Sequence, residues 1–224
     1  MYDYYAIVWF VISCISIRIM YTIVDLIIIQ NSRCQNKYIT LPLSKQRYIQ
    51  KNIVKSIYLA ILLCYALLNI VIPIYYNKWD SYIIHRIAVL YASNDFTGLI
   101  CVDKLPNPTK IHHIVSTLMV FASLSLDFQH SDIAQAMFWY TLCSASAYIV
   151  NLQLGIRFLF HKNDIASLRY VAARIYIMAC IFNWTGQAFW VYSRSIWTWS
   201  HFVYLGLIFW IVRDDIILIQ WLIK

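Results

Sequence analysis

Glutamate is absent from the 224-residue chain: all ten acidic residues are Asp. This removes Glu from any acid–base role and leaves Asp, His, Lys and Tyr as the candidates. Charge is scarce, at 12% of residues against 62% apolar, where a soluble domain is about a quarter charged and about half apolar. Such an excess does not fit inside one core, because a chain of this length still exposes roughly a quarter to a third of its extended surface. Disordered, collagen-like and coiled-coil classes are excluded by the same numbers, and the chain belongs in a bilayer. Gly and Pro number four each, and no internal repeat or low-complexity linker is visible. The six cysteines form no CxxC pair and no Cys/His metal spacing, so a disulfide scaffold is excluded and most thiols are expected to pack as small apolar groups.

What the chain does have is long apolar runs. A crossing takes about 20 apolar residues, and seven segments reach that length: 5–29, 53–76, 82–103, 111–128, 133–156, 169–193 and 200–222. The fold class expected is therefore an all-α integral membrane protein with about seven transmembrane helices. The opening Met1-Tyr2-Asp3 lacks a basic n-region and a small-residue cleavage site, so the first segment is expected to be a mature span. The charge of +8 lies in short loops and reports topology; a nucleic-acid partner is not expected. Loop 30–52 carries Arg33, Lys37, Lys45, Arg47 and Lys51, the next basic loop Lys104 and Lys110, and the third Arg157, Lys162 and Arg169, while alternate loops are poor in cations. The positive-inside rule then places the N-terminus on the lumenal or external side and Lys224 in the cytosol, with Trp79, Trp197 and Trp199 at the far interface. The sequon Asn183-Trp184-Thr185 falls inside a span and is expected to stay unmodified. Pro106 and Pro108 break the chain between two spans, and Pro73 falls near the external end of another.

Ionisable groups inside spans usually face a bundle interior or a cavity. Here they are Asp25, His85, Arg86, Asp95, His112, His113, Arg174, Arg213, Asp214 and Asp215. At ~1.5 Å rise per residue, Asp95 lies about 12 Å, Arg174 about 8 Å and Arg213 to Asp215 about 10 to 14 Å inside the cytosolic face. Five helices so contribute polar groups to the cytosolic half, which points to a cavity opening on that side. Interhelical pairing, Arg174 with Asp214 or Asp215 and Arg213 with Asp95, is the structural alternative. The two adjacent histidines show no obvious anionic partner. His112, Ser116, Met119 and Ser123 share one helix stripe, so one imidazole looks inward while the other lies about 100° round; Ser144, Tyr148, Asn151 and Gly155 make a comparable stripe. Adjacent histidines do not converge on one ion as an i, i+4 pair can, so no metal is expected.

Several of these segments resemble the TLC-domain family of ceramide synthases and related lipid-handling proteins. The resemblance is carried by Tyr91-Ala-Ser-Asn-Asp95, the proline-bearing loop, Lys110-Ile-His-His113, Asn151-Leu-Gln-Leu-Gly-Ile-Arg157 and the stretch from Tyr204 to Asp215 and Gln220-Trp221. It covers 45–224, leaving 1–44 as a first helix and basic loop. It implies six helices around a lipid-sized cavity in the endoplasmic reticulum, and a membrane lipid or a sphingoid and acyl substrate as partner, with acyl-CoA as co-substrate and no bound cofactor. His112 or His113 would serve as general base or acyl acceptor in N-acyl transfer, with Asp95 orienting the imidazole. Tyr91, Ser116, Tyr148, Asn151, Arg174, Arg213, Asp214 and Asp215 are the cavity's expected polar lining. The synthases' Arg-Gly step and later His-Asp are missing, which points to a short non-synthase member: a lipid sensor or regulator is the alternative. Association with further copies of the chain stays open. A fatty-acid elongase would need a third His where Thr109 stands, and a retinal protein a Lys in the middle of its last span; transport through the buried Asp and Arg groups is the remaining class.

Overall fold

The computed structural model describes residues 4–224, and the opening Met1-Tyr2-Asp3 lies outside them. Among the described residues all regular structure is helical: α1 (Tyr4–Gln30), α2 (Gln35–Ile39), α3 (Leu43–Ala66), a π-helical segment (Leu67–Val71), α4 (Ile72–Tyr75), α5 (Ser81–Cys101), α6 (Asn107–Ser123), α7 (Asp132–Ala145), α8 (Tyr148–Ile156), α9 (Ala166–Tyr192) and α10 (Trp199–Ile223). Three helical stretches are long and apolar enough to cross a membrane: Tyr4–Gln30, Leu43–Tyr75 and Asp132–Ile156. Large apolar side chains also cover the outside, including Ile12, Ile15 and Ile19 on α1, Ile57 and Ile61 on α3, Phe182 and Phe189 on α9, and Phe202 and Phe209 on α10. A water-soluble surface does not carry apolar patches of that extent, whereas a lipid-facing one does.

Local chemistry sets the breaks. Pro73 has no N–H to give to the carbonyl one turn back, and the helix widens to π geometry just before it, over Leu67–Val71. The turn after α4 is closed by Asn77 at φ 56°, the left-handed region that Asn tolerates. Asp80 and Ser131 accept from Ile83 N–H and Ala134 N–H and cap α5 and α7. Thr198 and His201 form a capping box at the start of α10. The run read as one span at 133–156 is two helices, parted by a turn at Ser146–Ala147.

The helices pack as a circuit: α3 on α5, α5 on α6, α6 on α10, α10 on α9, and α9 on both α7 and α8, which return to α3. The break between α7 and α8 shapes the interior. Helix α7 touches α5 and α6 as well as α3 and α9 and fills its end, whereas α8 packs on α3 and α9 and the end beside it is left open. Gly155 makes the α3–α8 seam close, since a Cβ there would lie 2.8 Å from Ile53 Cγ1 and 3.2 Å from Ile53 N.

Outside the circuit α1 packs on α5 and α3. Together with α2 it builds a core of Ile17, Tyr21, Val24, Ile28, Cys34 and Tyr38 against Ile49 and Val54 of α3, so the first 44 residues share a core with the rest. Tyr38 donates to Asp25 at 2.5 Å, and Gln50 donates to the same oxygen at 2.8 Å. Burial and the Asp25 carboxylate hold the Tyr38 phenol above its ordinary range, which keeps it a donor. The filled end is tied by Asp132, which accepts from Arg194 at 2.5 Å and from His201 at 3.2 Å. On the loop before α7, hydrogen bonds from His130, from the backbone N–H of Gln129 and from Ser81 pull Asp127 down to about 2.

Candidate functional site

The open end of the circuit holds a chamber of about 270 Å³. Four turns of α3 supply one wall: Tyr48, Lys51, Asn52, Lys55 and Leu59 line it, at i, i+3, i+4, i+7 and i+11, the spacing of a single helix face. Opposite stand His112 and His113 of α6, and Asp214 and Asp215 of α10; Asn151 of α8, Tyr176 of α9 and Tyr91 of α5 complete the ring, while Arg157 and Trp221 sit at the rim. Burying so many polar groups is costly unless they meet one another, and they gather in three clusters.

The first cluster is centred on Asp95, fully buried behind the chamber wall. One carboxylate oxygen is paired with Lys55 Nζ and lies 3.0 Å from His113 Nδ1; the other accepts from Ser116 Oγ at 2.7 Å. His113 Nε2 is 3.1 Å from Lys51 Nζ. The ring is thus held between a carboxylate beside Nδ1 and an amine at Nε2. In the second cluster His112 Nδ1 lies 3.1 Å from Asp214 Oδ2, and Nε2 lies 3.4 Å from the Tyr140 hydroxyl. In the third, Tyr176 donates to Asp215 at 2.7 Å.

Both histidines therefore have carboxylate partners from other helices, and both rings line the chamber. The expected division of one ring inward and one turned away does not hold, because the rings lie edge to face with centroids 5.7 Å apart. The expected Arg–Asp pairs are not formed. Arg174 is exposed and stacks over Tyr170 at 4.1 Å; Arg213 is exposed and lies over Trp210 at 5.4 Å. Neither lines the chamber, since their Cα positions turn the long side chains outward, where aromatic faces and the interface receive the charge. Tyr148 packs against the Leu59, Leu62 and Tyr91 cluster, and is also not among the lining residues. Ser116 faces a different space, described next.

Past Tyr91 the chamber adjoins a narrow apolar pocket of about 40 Å³ between α3, α5, α6 and α7, bordered by Leu62, Ile84, Met119, Val120, Phe138 and Ser116. Tyr91 borders both spaces. The polar chamber and the small apolar pocket thus lie on either side of the Tyr91 ring.

Donor atoms of Asp95, His112 and His113 lie within 4.8 Å of one another, so the expectation that adjacent histidines cannot converge with an acid is corrected: the third donor comes from a different helix. Two of these donors are already engaged, His113 by Lys51 and Asp95 by Lys55, and the Lys55 cation opposes a metal ion electrostatically.

Lys51 and Lys55 are functional-site residues that the sequence reading misses. Lys51 was counted with the basic loop, yet α3 begins at Leu43 and carries it inside, 3% exposed. The signal is the Tyr48-Lys51-Asn52-Lys55 stripe itself. No protein-family model, no curated protein and no solved structure matches the chain. Fold and site together define an all-helical protein with the surface of a membrane protein and a charged chamber enclosed at one end of its helix circuit.

Proposed function

We propose that this chain is a TLC-like multi-pass membrane protein that binds or modifies an acyl lipid within the chamber. The observation that carries the reading is a polar chamber walled by histidine–carboxylate pairs, with an apolar pocket on the other side of Tyr91. In this reading seven helices span, and six of them, with α7 and α8 as one span, surround the cavity while α1 stands outside. Support for the topology comes from the basic loops. The segments before α3, between α5 and α6 and after α8 all lie at the chamber's open end, which the positive-inside rule assigns to the cytosol, with the N-terminus lumenal. The endoplasmic reticulum follows from the resemblance alone.

The chemistry proposed is N-acyl transfer from acyl-CoA. His112, with the Asp214 carboxylate 3.1 Å from Nδ1 to stabilise the imidazolium, takes a proton from the attacking amine at Nε2. A bond forms between the amine nitrogen and the acyl carbon, the C–S bond of the thioester breaks, and coenzyme A leaves as the thiol once protonated by the imidazolium. Lys51 Nζ on the same wall donates a hydrogen bond to the carbonyl oxygen as charge develops on it. A second reading, a noncatalytic lipid sensor, is favoured by the internal neutralisation of Lys55 by Asp95, which is how a fixed polar wall is maintained.

Both readings share one test. A lipid with a photoreactive diazirine midway along its acyl chain is irradiated with the protein in vesicles, and labelled peptides are identified by mass spectrometry. Labels on Tyr91, Met119 or Met137 are expected. Labelling confined to outward residues such as Ile61, Leu118 and Phe209 would remove the chamber as a lipid site.

A further inference from the structure

A basic groove of about 870 Å³ lies at the open end of the circuit, between the end of α8, the first turns of α9 and the last turn of α10. Arg157, Lys162, Arg169 and Arg174 border it, and no Asp is among its lining residues. Arg157 and Trp221 are shared with the rim of the chamber. Arg157 caps the end of α8, and Lys162 stands in the turn before α9. Arg169 and Arg174 lie three and eight residues into α9, about 5 and 12 Å along its axis. Arg174 shortens that depth: its guanidinium lies over the ring of Tyr170, one turn nearer the open end, at 4.1 Å, as a snorkelling side chain does. In the membrane placement proposed above, all four charges stand where headgroups meet hydrocarbon.

Cations that only fix topology need nothing but water around them. Two of these are held on aromatic faces instead: Arg174 on Tyr170, and Arg157 at 4.6 Å from the Phe158 ring centroid and 4.8 Å from that of Trp221. Arg169 is used by the protein, donating to the carbonyls of Trp221 at 2.9 Å and Leu222 at 3.1 Å at the end of α10. Arg157, Lys162 and Arg174 take part in no ion pair among the described residues. Asp164, two residues after Lys162, is exposed, pairs with none of them and does not border the groove. Three cations thus line one space without a counter-charge. Beside them Tyr170, Arg174, Ile177 and Ile181 follow i, i+4, i+7 and i+11, so one face of α9 passes from charge to hydrocarbon. Ile181 and the adjoining Met178 are exposed.

From three unpaired cations above an exposed apolar stripe we infer that this groove binds the headgroup of a phospholipid carrying a phosphomonoester, from the leaflet at the chamber's open end. Basic pockets between helices on the cytosolic side are suited to such headgroups. A lone diester phosphate carries one negative charge and leaves two of the three cations unmatched. A headgroup with a diester and a monoester, as in a phosphoinositide, matches the set, since a monoester adds about 1.5 to 2 charges. The two arginines meet phosphate oxygens as planar forks and Lys162 as a point charge, while the acyl chains lie along Ile177 and Ile181. The inference rests on the membrane placement proposed above and is independent of acyl transfer.

The test is native mass spectrometry of the full-length protein in detergent, titrated with dioleoyl phosphatidylinositol 4-phosphate, dioleoyl phosphatidylinositol or dioleoyl phosphatidylcholine, with coenzyme A and inorganic phosphate as soluble competitors. The 4-phosphate should bind several-fold more tightly than phosphatidylinositol, and phosphatidylcholine most weakly. The Lys162→Gln, Arg174→Gln double variant removes two exposed cations and should weaken the 4-phosphate by about tenfold or more, at about fivefold per cation, with an unchanged melting temperature. The Arg33→Gln, Lys104→Gln double variant removes the same charge from exposed residues at the same end but outside the groove, and should bind as wild type does. Unchanged binding by the first double variant, equal loss in the second, or displacement of the lipid by millimolar coenzyme A or phosphate would each overturn the assignment, the last by making the groove a soluble-anion site. Phosphatidylcholine retained with no preference for the 4-phosphate would overturn the groove alone, whereas absence of every lipid adduct would remove the membrane placement with it. The readout is binding without turnover, so its failure leaves the chamber chemistry untouched.

Discussion

Asp95→Leu is expected to destabilise the protein by about 3–5 kcal/mol, the cost of leaving one partner of a buried ion pair uncompensated. Lys55 is only 6% exposed and Asp95 is fully buried, so neither reaches solvent when the other is removed. On the scale of a chain this size the loss lowers the melting temperature by on the order of 10 °C. Adding Lys55→Met should restore most of it, because replacing a buried pair by apolar side chains is often neutral. Recovery stays incomplete, since Ser116 loses its 2.7 Å acceptor and His113 the carboxylate at Nδ1. Thermal unfolding in detergent, followed by loss of the monodisperse species on size exclusion, measures the cycle. Equal destabilisation of the single and double variants would mean that the Lys55–Asp95 pair does not hold this wall together.

Gly155→Leu is expected to part α3 from α8. Even Ala at this position brings a Cβ to 2.8 Å from Ile53 Cγ1 and 3.2 Å from a backbone nitrogen; the side chain can rotate away, but the backbone cannot. Overpacking of this kind costs about 1–3 kcal/mol, against which Ala gains about 0.5–1 kcal/mol of helix propensity over Gly. Gly155→Ala should therefore be mildly destabilised and Gly155→Leu severely so, with the chamber wall between Lys51 and Asn151 opened. Ile53→Ala should rescue Gly155→Ala by vacating the contact. A melting temperature that rises in Gly155→Ala would show that helix propensity outweighs the seam, and that α3 and α8 do not pack as closely as described.

Much of the architecture was legible because it depends on run length and solvent alone. Five of the seven apolar segments correspond to single helices whose ends fall within five residues of the expected ones, and Pro106 precedes α6 while Pro108 sits in its first turn. The 133–156 segment is interrupted at Ser146–Ala147, marked by neither Gly nor Pro, yet Asp132–Ile156 remains one stretch long and apolar enough to cross a membrane. Helix α3 begins ten residues before the apolar run at 53, since a polar amphipathic stretch extends a helix without raising its hydropathy. That extension carries Lys51 from a loop into the chamber. The same positive-inside reasoning that orients the chain assigns every lysine before a span to the surface, and so conceals one that turns inward.

The site was legible by composition but not by pairing. Asp95, His112, His113, Asp214 and Asp215 converge at one end of the bundle, whereas Arg174 and Arg213 face outward over aromatic rings. Depth along a helix is set by counting residues, but direction round it depends on which neighbour each helix meets. Helical rise gives the first and only packing gives the second.

The most direct measurement compares the wild-type chain with the His112→Ala, His113→Ala double variant in a eukaryotic cell depleted of ceramide synthases, with whole-cell lipids read by mass spectrometry and both proteins checked for folding by detergent-extracted size. The account predicts a new N-acylated sphingoid base or another acyl-lipid in the wild type alone. Matching lipid profiles from two equally folded proteins would contradict acyl transfer by the histidine pair and leave the chamber as a binding site.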